Sequence, residues 1–230
     1  MNVSYLLKAI EAPQSDSDDS FIGGKPKLPP EQSIPVCGLC NAPQTFYFQV
    51  GFPSDNTWAG LSLATFACTS CADKKQLIPA MLKVKLPGAD IPEGFLESYQ
   101  VNFRFLVFET AKAVLHAAYK EKVAFRRLDL EPANPKVEGN KIGGSPTWLQ
   151  EDESPKTYAG KVPMFFLLQI ERGFQFPTVP GAPPQIKIGL SGNPQPANYA
   201  YYKLFITNAT YLFGTEDRAQ PLVYALTQVP

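Results

Sequence analysis

The sequence predicts a fold of the α+β class that is mainly β, with internally duplicated antiparallel sheet units and few helices. Three observations support this. The 230 residues include 23 Pro, 16 Phe and 10 Tyr, a composition that favours short strands and irregular loops over long helices. The segment 22–26, Ile-Gly-Gly-Lys-Pro, returns at 142–146 as Ile-Gly-Gly-Ser-Pro. Two apolar, aromatic segments, 43–52 and 58–67, flank a run of turn-forming residues and predict an antiparallel hairpin.

The repeat extends beyond the Gly-Gly motif. At the same displacement of 120 positions, the segment 46–50 (Phe-Tyr-Phe-Gln-Val) matches 166–170 (Phe-Leu-Leu-Gln-Ile) without a gap. Such self-similarity indicates an internal duplication. We therefore expect one compact unit with three parts: an N-terminal segment at 1–20, a first repeat at 21–133 and a second repeat at 134–230.

Hydrophobic patterning predicts the other elements. We expect helices at 2–11 and 109–122, and further strands at 101–108, 123–130, 164–170, 185–190, 199–207 and 221–229. The strand at 199–207 is expected to return against 164–170. Thr157 and Gly160 stand where the first repeat has two cysteines, so this second hairpin is expected to be held by packing alone.

All four cysteines lie at the ends of the predicted first hairpin, in two Cys-x-x-Cys pairs, Cys37 with Cys40 and Cys68 with Cys71. Folding at the turn 53–56 would place the pairs side by side. In a reducing compartment this pattern is typical of a four-thiolate zinc site. We therefore expect a zinc-ribbon-like hairpin with one structural Zn²⁺ per chain, because four thiolates leave no open coordination position. Two disulfides, a redox-active dithiol and four unrelated buried thiols are the alternatives.

The charge pattern argues against a nucleic-acid partner. Lys plus Arg and Asp plus Glu number 21 each, and no Lys or Arg lies between Lys27 and Lys74, whereas a phosphate-binding surface needs cations. No apolar run approaches the ~18 residues of a membrane span, and the N-terminal stretch lacks the features of a signal peptide. We therefore expect a cytoplasmic protein that binds neither nucleic acid nor membrane.

Two glutamines occupy equivalent places in the repeated strands. Gln49 and Gln169 lie in otherwise apolar segments, where an amide is costly unless it is hydrogen-bonded. Each amide could fasten the Gly-Gly loop to the strand. Alternatively, the two amides could face a ligand in a pocket between the repeats.

The motifs of the two halves resemble known families. The Ile-Gly-Gly-x-Pro-x-Trp motif at 142–148, the strand at 163–170 and Phe-Pro at 176–177 resemble the YwqG-like bacterial proteins, a domain family of unknown function. The first half, with its Gly-Gly start at 23–28, two cysteine pairs and Gln49, is similar to the programmed-cell-death-2 family of eukaryotic zinc proteins, although Leu28 stands where those proteins often have Trp. The second resemblance implies a cytosolic holder of a small-subunit ribosomal protein. The first implies an occasional association with toxin–immunity loci.

No arrangement of catalytic groups stands out in the sequence. The one histidine, His116, has no evident partners for a triad, and the cysteines are assigned to metal. We therefore expect a non-enzymatic protein-binding, adaptor or chaperone-like protein. One alternative is a small-ligand-binding protein or enzyme that uses the groove between the repeats, with Gln49, Gln169, Arg104 and Tyr211 as polar contacts. A toxin-immunity protein is another alternative.

Overall fold

The computed structural model describes residues 3–229, and these form a mainly β fold. Helical structure in this range consists of one short helix, α1 (Phe95–Ser98), and single turns at Thr110–Lys112 and Phe205–Thr207. No helix of the described residues is both long and apolar enough to cross a membrane. The strands in chain order are β1 (Ser4–Ile10), β2 (Phe21–Ile22), β3 (Lys27–Leu28), β4 (Thr45–Gly51), β5 (Leu61–Ala67), β6 (Asp90–Ile91), β7 (Phe103–Glu109), β8 (Val114–Leu115), β9 (Arg126–Ala133), β10 (Lys141–Gly143), β11 (Thr157–Tyr158), β12 (Val162–Ile170), β13 (Phe176–Pro177), β14 (Ile186–Ile188), β15 (Pro194–Pro196), β16 (Tyr201–Tyr202), β17 (Ala209–Thr215) and β18 (Val223–Gln228).

One large mixed sheet runs through the chain. Its strand order is β18-β17-β12-β10-β1-β9-β2-β4-β5-β7, and β11 and β6 extend it from β12. The pairing of β11 with β6 is parallel, whereas the neighbours along the main path are antiparallel. The predicted hairpin of the first half is present as β4 and β5, which pair antiparallel from Thr45↔Ala67 to Gly51↔Ser62.

The two halves of the sheet share one register. β2 pairs with β4 through Phe21↔Gln49, and β10 pairs with β12 through Lys141↔Gln169. Both residues of the second pair lie 120 positions after those of the first. A register irregularity also falls at the same place in each half, between positions 46 and 48 in β4 and between 166 and 168 in β12. The Gly-Gly segments of the sequence therefore lie at the ends of β2 and β10, and these two strands pair with β4 and β12 in the same geometry.

Strand β1 lies in the middle of the sheet. It pairs with β9 over seven residues, from Ser4↔Ala133 to Ile10↔Arg127, and on its other side with β10. The helix predicted at 2–11 is therefore wrong over the described residues, because pairing on both sides satisfies this backbone as a strand. Asn2 lies outside the described residues. The segment 1–20 thus contributes a strand to the side of the sheet formed by the second half.

The Gly-Gly turns are fitted against the starts of these two central strands. Gly23 has φ +57°, and a Cβ there would lie 2.4 Å from the carbonyl oxygen of Ala124, just before β9. Gly143 has φ +68°, and a Cβ there would lie 2.7 Å from the carbonyl oxygen of Val3, just before β1. Only glycine meets both the left-handed backbone and the close approach at these positions.

Two further sequence predictions are corrected. The segment 109–122 is not a helix but a single turn followed by β8, which pairs with β3, and most of its residues are exposed or half-buried. The strand that returns against β12 is β17, not 199–207. In the segment 199–207, β16 pairs with β13 and the backbone then turns left-handed at 205–207. Local hydrophobic spacing was overridden in both places by pairing with distant strands.

Trp58 joins the turn of the first hairpin to the second half. The side chain is fully buried, and its indole N–H donates a hydrogen bond of 2.9 Å to the carbonyl oxygen of Thr215. Its ring meets Phe165 edge-on at a centroid distance of 5.9 Å. A Cβ at Gly214 would lie 2.7 Å from Cζ2 of the indole. Glycine at 214 therefore provides the space that the tryptophan ring fills.

We expect Gly214→Ala to destabilise the fold by about 1–3 kcal/mol, because the added methyl group overlaps the indole ring and also the side chain of Leu167. The free energy of unfolding in urea measures this. In a Trp58→Phe background the benzo ring is absent, so the same Gly214→Ala change should cost clearly less. An equal cost in both backgrounds would contradict the proposed packing.

Candidate metal site and adjoining cavity

The hairpin β4–β5 positions the four cysteines. Cys37 and Cys40 lie in a tight turn before β4, and Cys68 and Cys71 follow directly after β5. Within the first pair, the N–H of Cys37 donates to the carbonyl oxygen of Ala42 at 2.9 Å and closes the turn. Since β4 and β5 pair antiparallel up to their shared end, the two cysteine pairs meet there.

The four sulfur atoms form a compact cluster. All four Sγ atoms lie within 4.8 Å of one another, with distances of 3.7 Å for Cys37–Cys71, 3.7 Å for Cys40–Cys68 and 3.5 Å for Cys68–Cys71. A tetrahedral site with metal–sulfur bonds of about 2.3 Å has sulfur–sulfur edges of about 3.8 Å. The cysteines are free thiols and not disulfides. The cluster is therefore a possible metal-binding site.

Backbone N–H groups donate to a sulfur atom of each cysteine pair. The N–H of Leu39 donates to Cys37 Sγ at 3.4 Å, and the N–H of Ser70 donates to Cys68 Sγ at 3.3 Å. In both cases the donor lies two residues after the first cysteine of its pair. Such donors stabilise the charged, thiolate form of the side chain, which is the form that binds metals.

The surroundings shift the pKa values of three of the four thiols, Cys40, Cys68 and Cys71. Burial raises the pKa of Cys68 to about 11. Burial also raises the pKa of Cys71, and hydrogen bonding with Cys40 and Cys68 adds to this. At Cys40, burial is outweighed by hydrogen bonds from the Ala42 backbone and the other thiols, so its pKa is lowered. The thiolate form is thus favoured at Cys40 and disfavoured at Cys68 and Cys71. A bound cation would favour the thiolate form at all of them.

A cavity of about 210 Å³ adjoins the cysteine cluster. Cys68, Cys71 and Phe103 lie on the side of the first half. Residues 185–188 of the second half close the other side, together with Tyr199, Lys203, Phe205 and Ile206. The strand β14 is fastened to the cysteine loop because the N–H of Ile186 donates to the carbonyl oxygen of Thr69 at 2.9 Å. The cavity therefore lies where the candidate metal site meets the second half.

Two lysines and a tyrosine stand at this cavity. The Nζ atoms of Lys187 and Lys203 lie 5.0 Å and 4.7 Å from the centroid of the Tyr199 ring, within cation–π range. All three residues line the cavity, and Tyr199 is 41% exposed. Sequence reasoning missed them as a group because Lys187 lies in the predicted strand 185–190 and the other two in the separate predicted strand 199–207. The alternation Ile186-Lys187-Ile188 was the available signal.

The two glutamines hold loop backbone in equivalent ways. Oε1 of Gln49 accepts a hydrogen bond from the N–H of Lys27 at 3.2 Å, and Oε1 of Gln169 accepts one from the N–H of Thr147 at 2.8 Å. Thr147 lies 120 positions after Lys27, as Gln169 does after Gln49. Nε2 of Gln169 also donates to the carbonyl oxygen of Gly139 at 2.9 Å. Nε2 of Gln49, in contrast, is buried without a partner among the described residues.

The four polar residues expected in a groove do not come together in one cavity. Tyr211 donates its hydroxyl proton to the carbonyl oxygen of Thr147 at 2.9 Å, and with Gln169 it lines a separate cavity of about 360 Å³. Arg104 lies on β7 opposite Phe66, and Gln49 is fully buried. The cavity beside the cysteines is lined by none of these four residues.

Comparison with protein-family models finds no matching family, and comparison with curated proteins finds no match. The resemblances drawn from the sequence motifs therefore stay predictions.

We expect Gln169→Leu to destabilise the protein by about 1–3 kcal/mol, because Thr147 and Gly139 both lose their hydrogen-bond partner. Gln49→Leu should cost less, since it removes one long hydrogen bond and also a buried amide nitrogen that lacks a partner. Urea unfolding of the two variants measures the difference. Equal stability of the wild type and Gln169→Leu would show that this amide does not fasten the loop.

Proposed function

We propose that Cys37, Cys40, Cys68 and Cys71 hold one structural Zn²⁺. The observation that carries this proposal is the set of sulfur–sulfur distances of 3.5–3.7 Å, close to the edges of a tetrathiolate zinc site. The donor set of four sulfur atoms suits zinc, and it leaves no position for a substrate. The bound ion would fix two loops to each other at the end of a zinc-ribbon-like hairpin, and with them one wall of the cavity.

The two halves are derived from one duplicated unit. Support comes from the shared register of β2–β4 and β10–β12 and from the equivalent hydrogen bonds of Gln49 and Gln169. The metal site belongs to the first unit, because Thr157 and Gly160 replace the first cysteine pair in the second. A relationship of the second unit to the YwqG-like proteins, and of the first to the programmed-cell-death-2 family, is part of this proposal.

The protein is a non-enzymatic, cytosolic zinc protein that binds a segment of another protein, as an adaptor or chaperone would. The cavity beside the cysteines supports this, since Tyr199 and Ile206 at its rim expose 41% and 47% of their surface. Exposed apolar side chains around a concave site are typical of protein-binding surfaces. Four free thiols in close contact suit the reducing cytosol.

A small-ligand-binding protein or an enzyme is the second candidate, and the existence of the cavity favours it. Its volume of about 210 Å³ is below the ~300–1,000 Å³ that is common for small-molecule sites. The ionisable groups of its lining are cysteines, lysines and tyrosines. The size therefore favours a partner side chain over a whole cofactor or substrate.

We expect Cys40→Ser to lower bound zinc well below one ion per chain, because three thiolates hold the ion less tightly than four. Metal analysis of the purified chain measures this, and thermal unfolding should occur at a lower temperature. Ser70→Ala is the matched control, since it keeps the backbone N–H that contacts Cys68. Equal zinc content in Cys40→Ser and the wild type would refute the ligand assignment.

Protein binding is tested by site-specific photo-crosslinking in the native cells. A photoreactive residue at position 206, on the cavity rim, is expected to capture defined partner proteins because a bound segment would cover it. The same group at Val84, which is 61% exposed and does not line the cavity, is the control. If position 206 captured no protein beyond those captured at position 84, the proposed function would be abandoned.

A further inference from the structure

The cavity beside the cysteines combines an apolar interior with cationic side chains at its lining. Phe103, Phe205 and Ile188 contribute apolar surface, and Lys187 and Lys203 contribute the positive charges. No Asp or Glu is among its lining residues. Across residues 3–229, the ion pairs of the structure involve neither of these two lysines. Lys187 and Lys203 therefore have no carboxylate partner in the described structure, and the other charges of the lining would be the thiolates of Cys68 and Cys71, which the proposed Zn²⁺ binds.

The two lysines are held in place. Both ammonium groups lie over the ring of Tyr199, which in turn stacks on Tyr201 at a centroid distance of 5.0 Å. The N–H of Lys203 donates to Oε1 of Gln185 at 2.8 Å, which fixes the backbone of that lysine. Pre-positioned cations lose less conformational entropy when an anion binds. The arrangement is thus suited to carboxylates that arrive at the cavity rim.

The rim of the cavity includes a strained backbone segment. Phe205, Ile206 and Thr207 have φ values of +45°, +61° and +67°, and none of them is glycine. Left-handed backbone costs about 1–2 kcal/mol for each such residue. Phe205 is buried in the cavity wall, whereas Ile206 is 47% exposed beside it. Strain of this kind is common at binding sites, and here it places an apolar side chain at the opening.

We propose that this cavity binds a peptide segment of a partner protein in which one large apolar side chain is flanked by Asp or Glu. The apolar side chain would enter the space of about 210 Å³, and the flanking carboxylates would pair with Lys187 and Lys203. This inference rests on the proposed function, because it identifies the site and the partner chemistry of the proposed protein binding. An anchor of this type, with a desolvated apolar centre and charged flanks, is typical of the residues that dominate binding energy.

The test is a selection of random peptides, displayed on phage, on the immobilised full chain as purified. Enriched peptides are expected to share one large apolar residue with acidic neighbours. Their affinity, measured by fluorescence polarisation, should fall about tenfold or more in the Lys187→Glu/Lys203→Glu variant, because both charge pairs become repulsive. Lys83→Glu/Lys85→Glu is the matched control: it changes the net charge equally at exposed positions outside the cavity, and affinity should change little.

A second variant probes the apolar part of the cavity. Ala72→Leu places a larger side chain on the cavity wall and should also weaken peptide binding about tenfold. Its zinc content and circular dichroism should match those of the wild type, which separates a filled cavity from a misfolded chain. Peptide affinity that is unchanged by Ala72→Leu would overturn the cavity assignment.

The other outcomes are also informative. Enrichment of basic or uncharged peptides would overturn the inference. Equal affinity of acidic peptides for the wild type and the double variant would overturn it too, and any protein binding would then use another surface. N-acetyltryptophan, which has one apolar ring and one carboxylate, could also compete with the peptide. If it binds as tightly as the peptide does, the cavity is a small-carboxylate site, and the inference is overturned. If no peptide is enriched, this inference is overturned, whereas the proposed function is decided separately by crosslinking at position 206.

Discussion

The antiparallel pairing of β1 with β9 is the contact on which the rest of the structure depends. It joins the two halves into one sheet, because β1 also pairs with β10 and β9 also pairs with β2. Close to the start of each of these central strands, a carbonyl oxygen lies where a Cβ on a glycine of the adjacent Gly-Gly turn would overlap it. The hairpin that bears the cysteines is thus positioned through the centre of the sheet, whereas β14, which borders the cavity, belongs to a separate two-stranded sheet. Trp58 adds a second, aromatic connection between the halves.

The parts of the fold that could be predicted are those that local sequence determines. Aromatic, apolar runs with a Pro-Ser-Asp-Asn turn between them determine the hairpin β4–β5, and the Cys-x-x-Cys spacing determines where the sulfur atoms meet. The matched segments at a displacement of 120 positions led to the equivalent roles of Gln49 and Gln169. Each of these features depends on residues that are close in sequence or repeated in it.

The parts that could not be predicted depend on distant contacts. The segment of β1 has spacing compatible with a helix, and only its pairing with β9 and β10 makes it a strand. The true partner of β12 is β17, which the Pro/Gly-rich stretch before it obscured. Lys187, Lys203 and Tyr199 become one group only when β14 and the segment 199–203 fold together beside the cysteine loop. No local pattern determines that arrangement.

The central place of β1 has a consequence for folding during synthesis. Leu7 pairs with Leu130, which is 123 positions later in the chain. At about 5–20 residues per second, a ribosome takes roughly 6–25 s to make that much chain. For this time the strand has neither of its neighbours, and its backbone groups are free to pair with other chains. The nascent protein therefore passes through a stage in which premature association competes with closure of the sheet, and chaperone contact at that stage would favour the native product.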